Sequence, residues 1–575
     1  MKKALAALLS ASMVLSTPWT QAQVRLPSLG DSASEDLPVG TERRLGEQIM
    51  REIKRDPAYL DDPVLLDYAR SLWRPLLQAA RARGDIGPEI EQAFAWNLFL
   101  VQDRSVNAFA LPGGHVGVHL GLIAVTATRD ELAAVLAHEL SHVSQRHIAR
   151  SIGSAGRQGA LGAAAMLLGV LIAARSSNPD AAQAAIAGGQ AAMIQGQLNF
   201  SRDMEREADR IGYGVFRDAG FAAPGMAAMF EKLDQASRLN DSGGFPYLRS
   251  HPLTSDRLAE ARSRLTDPSA AAGTGRDALH ELMQGRARAL MDPTVDQWRR
   301  LMTQAQPPAG TASAGALYAG ALAAARLGDH RTAAMLGEGL AQALHLGGGP
   351  AAAAAAHAST PDTLRGRQMA QLLLAELALA RADPPAALAA LDALTWLPAP
   401  PSGDGPAAAV AQRPAERAWL LLRSQALLAA ALQTRGQADR SQDGALREAL
   451  EALQIWVAEH RNDAAAWLLL AQASDALGLQ LRALRAQAEA RAALGDLGAA
   501  IDRLRAAQVR SRTATAGADF IEASIIDTRL RELQSLRRQE MEEARSQRGA
   551  SGPREPFGQG WRDSAGALGD RPGGP

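Results

Sequence analysis

The run His138-Glu139-Leu140-Ser141-His142 constrains this chain more than any other feature, because its two imidazoles matter only if a helix aligns them. That helix has a visible start. Thr128-Arg129-Asp130-Glu131 reads as a capping box, in which the Thr hydroxyl and the Glu carboxylate each satisfy an orphan amide. The pattern predicts a helix over about 129–148. Leu132, Val135, Leu136, Leu140 and Val143 make its core-facing stripe, while His138 and His142 project together from another face. Ala134 and Ser141 are small and leave room there for a metal. Two imidazoles one turn apart can both reach a tetrahedral zinc, with Glu139 placed to hold a water beside it.

A catalytic zinc keeps three protein ligands, so a third donor must come from elsewhere. Glu205-Arg206-Glu207-Ala208-Asp209 offers one on a second helix, expected around 203–216, whose buried stripe is Met204, Ala208, Ile211 and Val215. Glu205 would bind zinc, and Asp209, one turn on, would fix ligand geometry through a hydrogen bond. Spacing alone fits an exposed acidic helix face equally well. His147, nine residues after His138, rotates onto the Leu136/Leu140 side and reads as a packed core histidine. His115 and His119 alternate along a strand and read as sheet packing, with a place facing the site as the alternative.

At 575 residues the chain exceeds what one core organises. Lys2 and Lys3, the apolar run 4–16 and Thr20-Gln21-Ala22 read as a signal peptide cleaved after Ala22, which implies export to the periplasm. No cysteine is present, so there is neither a disulfide framework nor a site for a lipid-anchored cysteine. Equal basic and acidic counts, 61 each, argue against a nucleic-acid partner. Helical periods start near Thr41 and over 62–83, and then strand-like runs fall at 94–102, 105–111 and 115–125. An antiparallel meander fits them. Asn107, Ala108 and Phe109 begin a candidate edge strand on which extended peptide could pair. The Gly/Ala-rich run 159–174 is short of the roughly 20 residues a membrane span needs, which leaves a buried hairpin or a peripheral membrane contact.

Beyond about residue 270 the chain turns to Ala/Leu/Arg helices. Trp467, Leu470, Ala471, Gly478, Ala483 and Ala490 fall at the spacings of a 34-residue helical-hairpin repeat. Leu494-Gly495-Asp496 with Ala500, Leu504 and Ala507 fits the next hairpin, and Leu327-Gly328-Asp329 with Ala333 a weaker one. The stretches 347–361 and 397–406 read as loops interrupting the array. The expected organisation is a signal peptide at 1–22, a metallopeptidase domain at 23–268, tetratricopeptide-like repeats at 269–545 and a disordered tail at 546–575. The fold class is thus an α+β zincin-like domain followed by an all-α solenoid of tetratricopeptide type.

The pairing of HELSH with EREAD resembles the Ste-type and HtpX-like gluzincin metalloproteases. The segments 25–30 and 107–114, His147, and His251-Pro252-Leu253-Thr254-Ser255-Asp256-Arg257 are similar to the repeat-bearing periplasmic members of that family. The likeness covers most of 25–265 by motif and 270–545 by architecture only. It implies one zinc ion per chain on His138, His142 and Glu205, with Glu139 as general base and Asp209 as a second catalytic residue, a proton donor. It further implies unfolded or misassembled protein substrates, a repeat domain that meets the outer-membrane β-barrel assembly machinery or its clients, and His251 as a removable fourth zinc ligand. Arg257 is a candidate for stabilising the oxyanion. Two rivals stand beside this reading: a repeat-based chaperone or adaptor with a shielded zinc site, and a membrane-integrated protease like HtpX.

Overall fold

The computed structural model describes residues 37–154, 202–238, 247–264, 277–306, 312–346, 360–394, 416–433, 441–512 and 519–550. The signal peptide, the run 159–174, the loop 397–406, nearly all of 347–361 and the chain after 550 lie outside the described residues. The last helix, Asp519–Ala550, continues past the boundary expected at 545.

The N-terminal portion opens with helix Val39–Arg55 and helix Pro63–Arg83. The second is started by Asp62, whose side chain accepts from Leu65 N, and by Pro63, whose fixed φ suits the first helical position. Gly84 ends it at φ 77°, a left-handed conformation that costs glycine little. Four strands follow in space: β1 (Tyr59–Leu60), β2 (Asn97–Val101), β3 (Ala108–Leu111) and β4 (His115–His119). Their order is β1-β2-β4-β3, with β2 and β4 parallel and the other pairs antiparallel. The expected meander is therefore wrong: the sheet is mixed. Residues 120–125, read as part of a strand, form a short helix, Leu120–Val125, with Leu120, Leu122 and Ile123 all buried. A short apolar run buried on every side carries no period to separate the two states.

Helix Arg129–Ser144 crosses the core. Leu132, Leu136 and Leu140 are fully buried, each contributing about 1.5–3 kcal/mol of apolar burial. Thr128 accepts from Glu131 N as the capping box requires, while the Glu131 carboxylate accepts from Ala127 N, one residue further back than expected. The helix is shorter than predicted. It ends at Ser144, Arg146 takes φ 52°, and a new helix, His147–Ser154, starts after it.

From Ala278 the described elements are all helices, compatible with a solenoid. In helices Ala464–Ala476, Gln480–Ala493 and Leu497–Ser511, the residues singled out by spacing (Trp467, Leu470, Ala471, Ala483, Ala490, Ala500, Leu504 and Ala507) are all buried. Gly328, Gly478 and Gly495 close their turns at φ 75°, 75° and 78°, so the same left-handed link recurs along the array. The two portions meet through charge. Arg286, itself buried, donates to Asp62 and to Glu376. Arg417 spans Asp61 and Asp463.

Candidate metal centre

Helix Arg202–Asp218 lies against helix Arg129–Ser144 because both present small residues at the crossing. A Cβ on Gly212 would sit 3.1 Å from Ala137 O, so this glycine permits the close approach. Ala208, fully buried, fills the next position along the contact. Glu205 and Asp209 are thereby carried to His138, and the exposed acidic face that spacing alone allowed is excluded, since both are buried.

His138, His142, Glu205 and His251 are all buried, and one donor atom from each lies within 4.8 Å of the other three. His138 Nε2 is 2.9 Å from His142 Nε2 and 3.4 Å from Glu205 Oε2. His251, from a turn that follows the short helix Tyr247–Ser250, puts Nδ1 2.9 Å from Glu205 Oε1 and 3.3 Å from His138 Nε2. The Tyr247 ring stacks on the His251 imidazole at 4.6 Å. Glu139 is fully buried, and neither of its carboxylate oxygens has a hydrogen-bond partner among the described residues. Two unsatisfied oxygens beside a nest of imidazoles are costly unless a water or a cation completes them. Three imidazoles and one carboxylate are the donors zinc favours.

The supports around the donors are charged and buried. His138 Nδ1 is 3.0 Å from Asp209 Oδ1. Arg257 donates from Nε and Nη2 to the two Asp209 oxygens at 2.6 and 2.9 Å, and from Nη1 to Pro252 O at 2.8 Å. Its Nη1 is also 2.8 Å from Glu205 Oε2. Arg257, the candidate for the oxyanion, thus has its guanidinium engaged by two carboxylates and a backbone carbonyl. Burial alone would lower the His138 pKa, but Asp209 and Glu205 overcome that and raise it to about 10. Burial would raise Glu205, yet His251 and His138 hold it well below the usual carboxylate range. Burial depresses His142 strongly and takes His147 down to about 4.

His147 is buried as expected, but it is more than core packing. Its Nδ1 is 2.8 Å from His142 Nδ1, and its Nε2 is 3.2 Å from Glu207 Oε2. Sequence reasoning missed this contact because it assumed an unbroken helix through Arg146. Glu207 and Tyr247 were also passed over; Glu207 sits inside the EREAD motif, where its place between two functional carboxylates was the available signal. His115 and His119 stand outside the donor cluster: His115 Nδ1 pairs with Asn97 Oδ1 at 2.6 Å, and His119 Nδ1 with Ser105 Oγ at 2.9 Å. β3 does lie at a sheet edge, with Asn107 just before it and Ala108 and Phe109 within it. Phe109 faces back onto the Phe99 and His119 rings. Tyr247 N donates to Val106 O, which ties the turn bearing His251 to the approach of this edge.

Two helices bring an HExxH pair and a distant glutamate onto one point, the donor arrangement of a zinc metallopeptidase, and residues 78–265 match the model of peptidase family M48. Among curated proteins, the chain is similar to the beta-barrel assembly-enhancing protease of Escherichia coli, 34% identical over 267 residues, 46% of this chain and 52% of that protein. It is 36% identical to the putative beta-barrel assembly-enhancing protease of Vibrio cholerae over 241 residues, 42% of this chain and 47% of that one. A mitochondrial metalloendopeptidase of Schizosaccharomyces pombe is 27% identical over 263 residues, 43% and 67% of the two chains. The chain thus spans about half the length of the two bacterial relatives it matches.

Proposed function

We propose that this chain is a periplasmic zinc metalloendopeptidase that degrades misfolded or misassembled outer-membrane proteins. One observation carries the reading: His138, His142, Glu205 and His251 aim their donors at one buried point beside a Glu139 carboxylate that has no hydrogen-bond partner among the described residues. His138, His142 and Glu205 would hold zinc, which when bound supplies Lewis acidity toward water and the scissile carbonyl. Glu139 takes the proton of the attacking water and delivers it to the leaving nitrogen. Asp209 orients His138, and Arg257 orients both Asp209 and Glu205. Extended substrate would pair with the edge strand at Asn107, Ala108 and Phe109, a recognition mode with little sequence demand that suits unfolded clients. The helical array after residue 270 would bind those clients or the outer-membrane assembly machinery, as the names of the bacterial relatives suggest. No helix among the described residues is long and apolar enough to cross a membrane.

His251 supports a second reading. As a fourth donor it would fill the position catalysis needs open, so the chain could act chiefly as a chaperone or adaptor with its metal shielded. Metal analysis with degradation of an unfolded casein-type substrate, on wild type and Glu139→Gln, separates the readings. One zinc per chain in both, with cleavage only in wild type, supports the peptidase; no cleavage by either supports the adaptor.

A further inference from the structure

We propose that His147 and Glu207 form a hydrogen-bonded relay that fixes the ring of His142 for metal binding, which makes His147 a positioning residue of the centre. The proposal rests on the metallopeptidase reading above and adds a support that the HExxH pattern does not contain.

The argument is one of tautomers. His142 Nε2 faces the donor cluster, 2.9 Å from His138 Nε2 and 3.4 Å from Glu205 Oε1. Its other nitrogen, Nδ1, faces away and meets His147 Nδ1 at 2.8 Å. Two ring nitrogens that close share a single proton. An imidazole that gives a lone pair to a metal through Nε2 keeps its proton on Nδ1. His142 is therefore the donor, and His147 Nδ1 must present a lone pair. A neutral His147 then carries its own proton on Nε2, which lies 3.2 Å from Glu207 Oε2. Glu207 in turn accepts from Arg150 Nη1 at 2.8 Å. Each assignment sets the next, and the chain closes on a carboxylate, which only accepts.

The two histidines of the HExxH motif are thus supported differently. His138 donates directly to the Asp209 carboxylate. His142 reaches its carboxylate through an interposed imidazole that is fully buried, where no solvent can take over the acceptor role. The relay also joins helix His147–Ser154 to helix Arg202–Asp218, the one that carries Glu205. Glu207 lies two residues from Glu205, so one helix delivers a donor to the cluster and an anchor to the far side of the opposite histidine.

The test measures zinc affinity of the full chain by competition with a chromophoric chelator, together with the melting midpoint of the zinc-free protein. His147→Asn places an amide oxygen near the position of Nδ1 and should stay within a few-fold of wild type. His147→Leu matches the volume without an acceptor and should weaken zinc binding by about 10–100-fold at an unchanged zinc-free midpoint. Glu207→Leu, at a less buried position, should weaken it in the same direction and decides the matter if His147→Leu does not fold. Equal affinities for the Leu and Asn variants, whether both intact or both reduced, would overturn the relay. A wild-type chain that takes up no zinc would instead overturn the metallopeptidase reading on which it rests.

Discussion

His251 Nδ1 lies 2.9 Å from Glu205 Oε1, although 46 residues separate the two along the chain. The contact places a fourth donor where three suffice for an open catalytic centre. Arg257 grips both sides of it, the Pro252 carbonyl that follows His251 and the Glu205 carboxylate. Replacing His251 by Ala is expected to raise the rate of degradation of an unfolded substrate several-fold while one zinc per chain is retained. Unchanged or lower activity with full zinc content would count against self-inhibition.

Glu139→Gln removes a proton acceptor without changing the shape of a fully buried side chain. Cleavage should fall by about 10²–10⁴-fold, the usual contribution of a general base, with zinc content unchanged. Comparable loss of zinc would show that Glu139 acts as a structural prop instead.

Gly212 sets the separation of the two helices that carry the donors. Gly212→Val pushes Ala137 and its neighbour His138 away from Glu205, so zinc affinity should drop while the helical content of the repeats stays, as read by circular dichroism. Wild-type affinity in this variant would mean the crossing is not what holds the donors together.

At the junction with the helical array, burial acts to raise the Asp62 pKa, but Arg286 outweighs it and holds the carboxyl below its ordinary value. A depressed folded pKa contributes stability that is present above the unfolded value near 4 and is lost as pH falls through the folded one. Below about pH 4 the wild-type melting midpoint should therefore fall more steeply than that of Asp62→Asn, which keeps the helix cap. Arg286→Met, by stranding Asp62 and Glu376, should cost about 3–5 kcal/mol at neutral pH in chemical denaturation.

Both helices of the metal centre could be read from the sequence because each announces itself locally. Thr128 caps the first, and the apolar stripes on either side of His138 and Asp209 fix which faces turn inward. Turn glycines at 478 and 495 were legible for the same reason. What escaped depends on long-range partners. The parallel pairing of β2 with β4 follows from β3 being inserted at the outer edge, which no local pattern records. The role of His147 was hidden by the break at Arg146, whose left-handed φ resets the helical phase in a residue type that rarely adopts it. Arg257 looked free to meet substrate because the carboxylates that occupy it arrive from another helix.

Helix Val39–Arg55 touches both ends of the molecule's functional axis. Near its start, Glu42 takes Arg146, the residue that turns the chain just after the histidine motif. Near its finish, Lys54 donates to Ala493 O, Arg55 to Gly495 O, and Arg51 pairs with Glu540. This single helix fastens the last helices of the array to the turn that follows the histidine-bearing helix. Displacing the last helices of the array would therefore pull on the same helix that holds Arg146, the residue at the turn after the histidine motif.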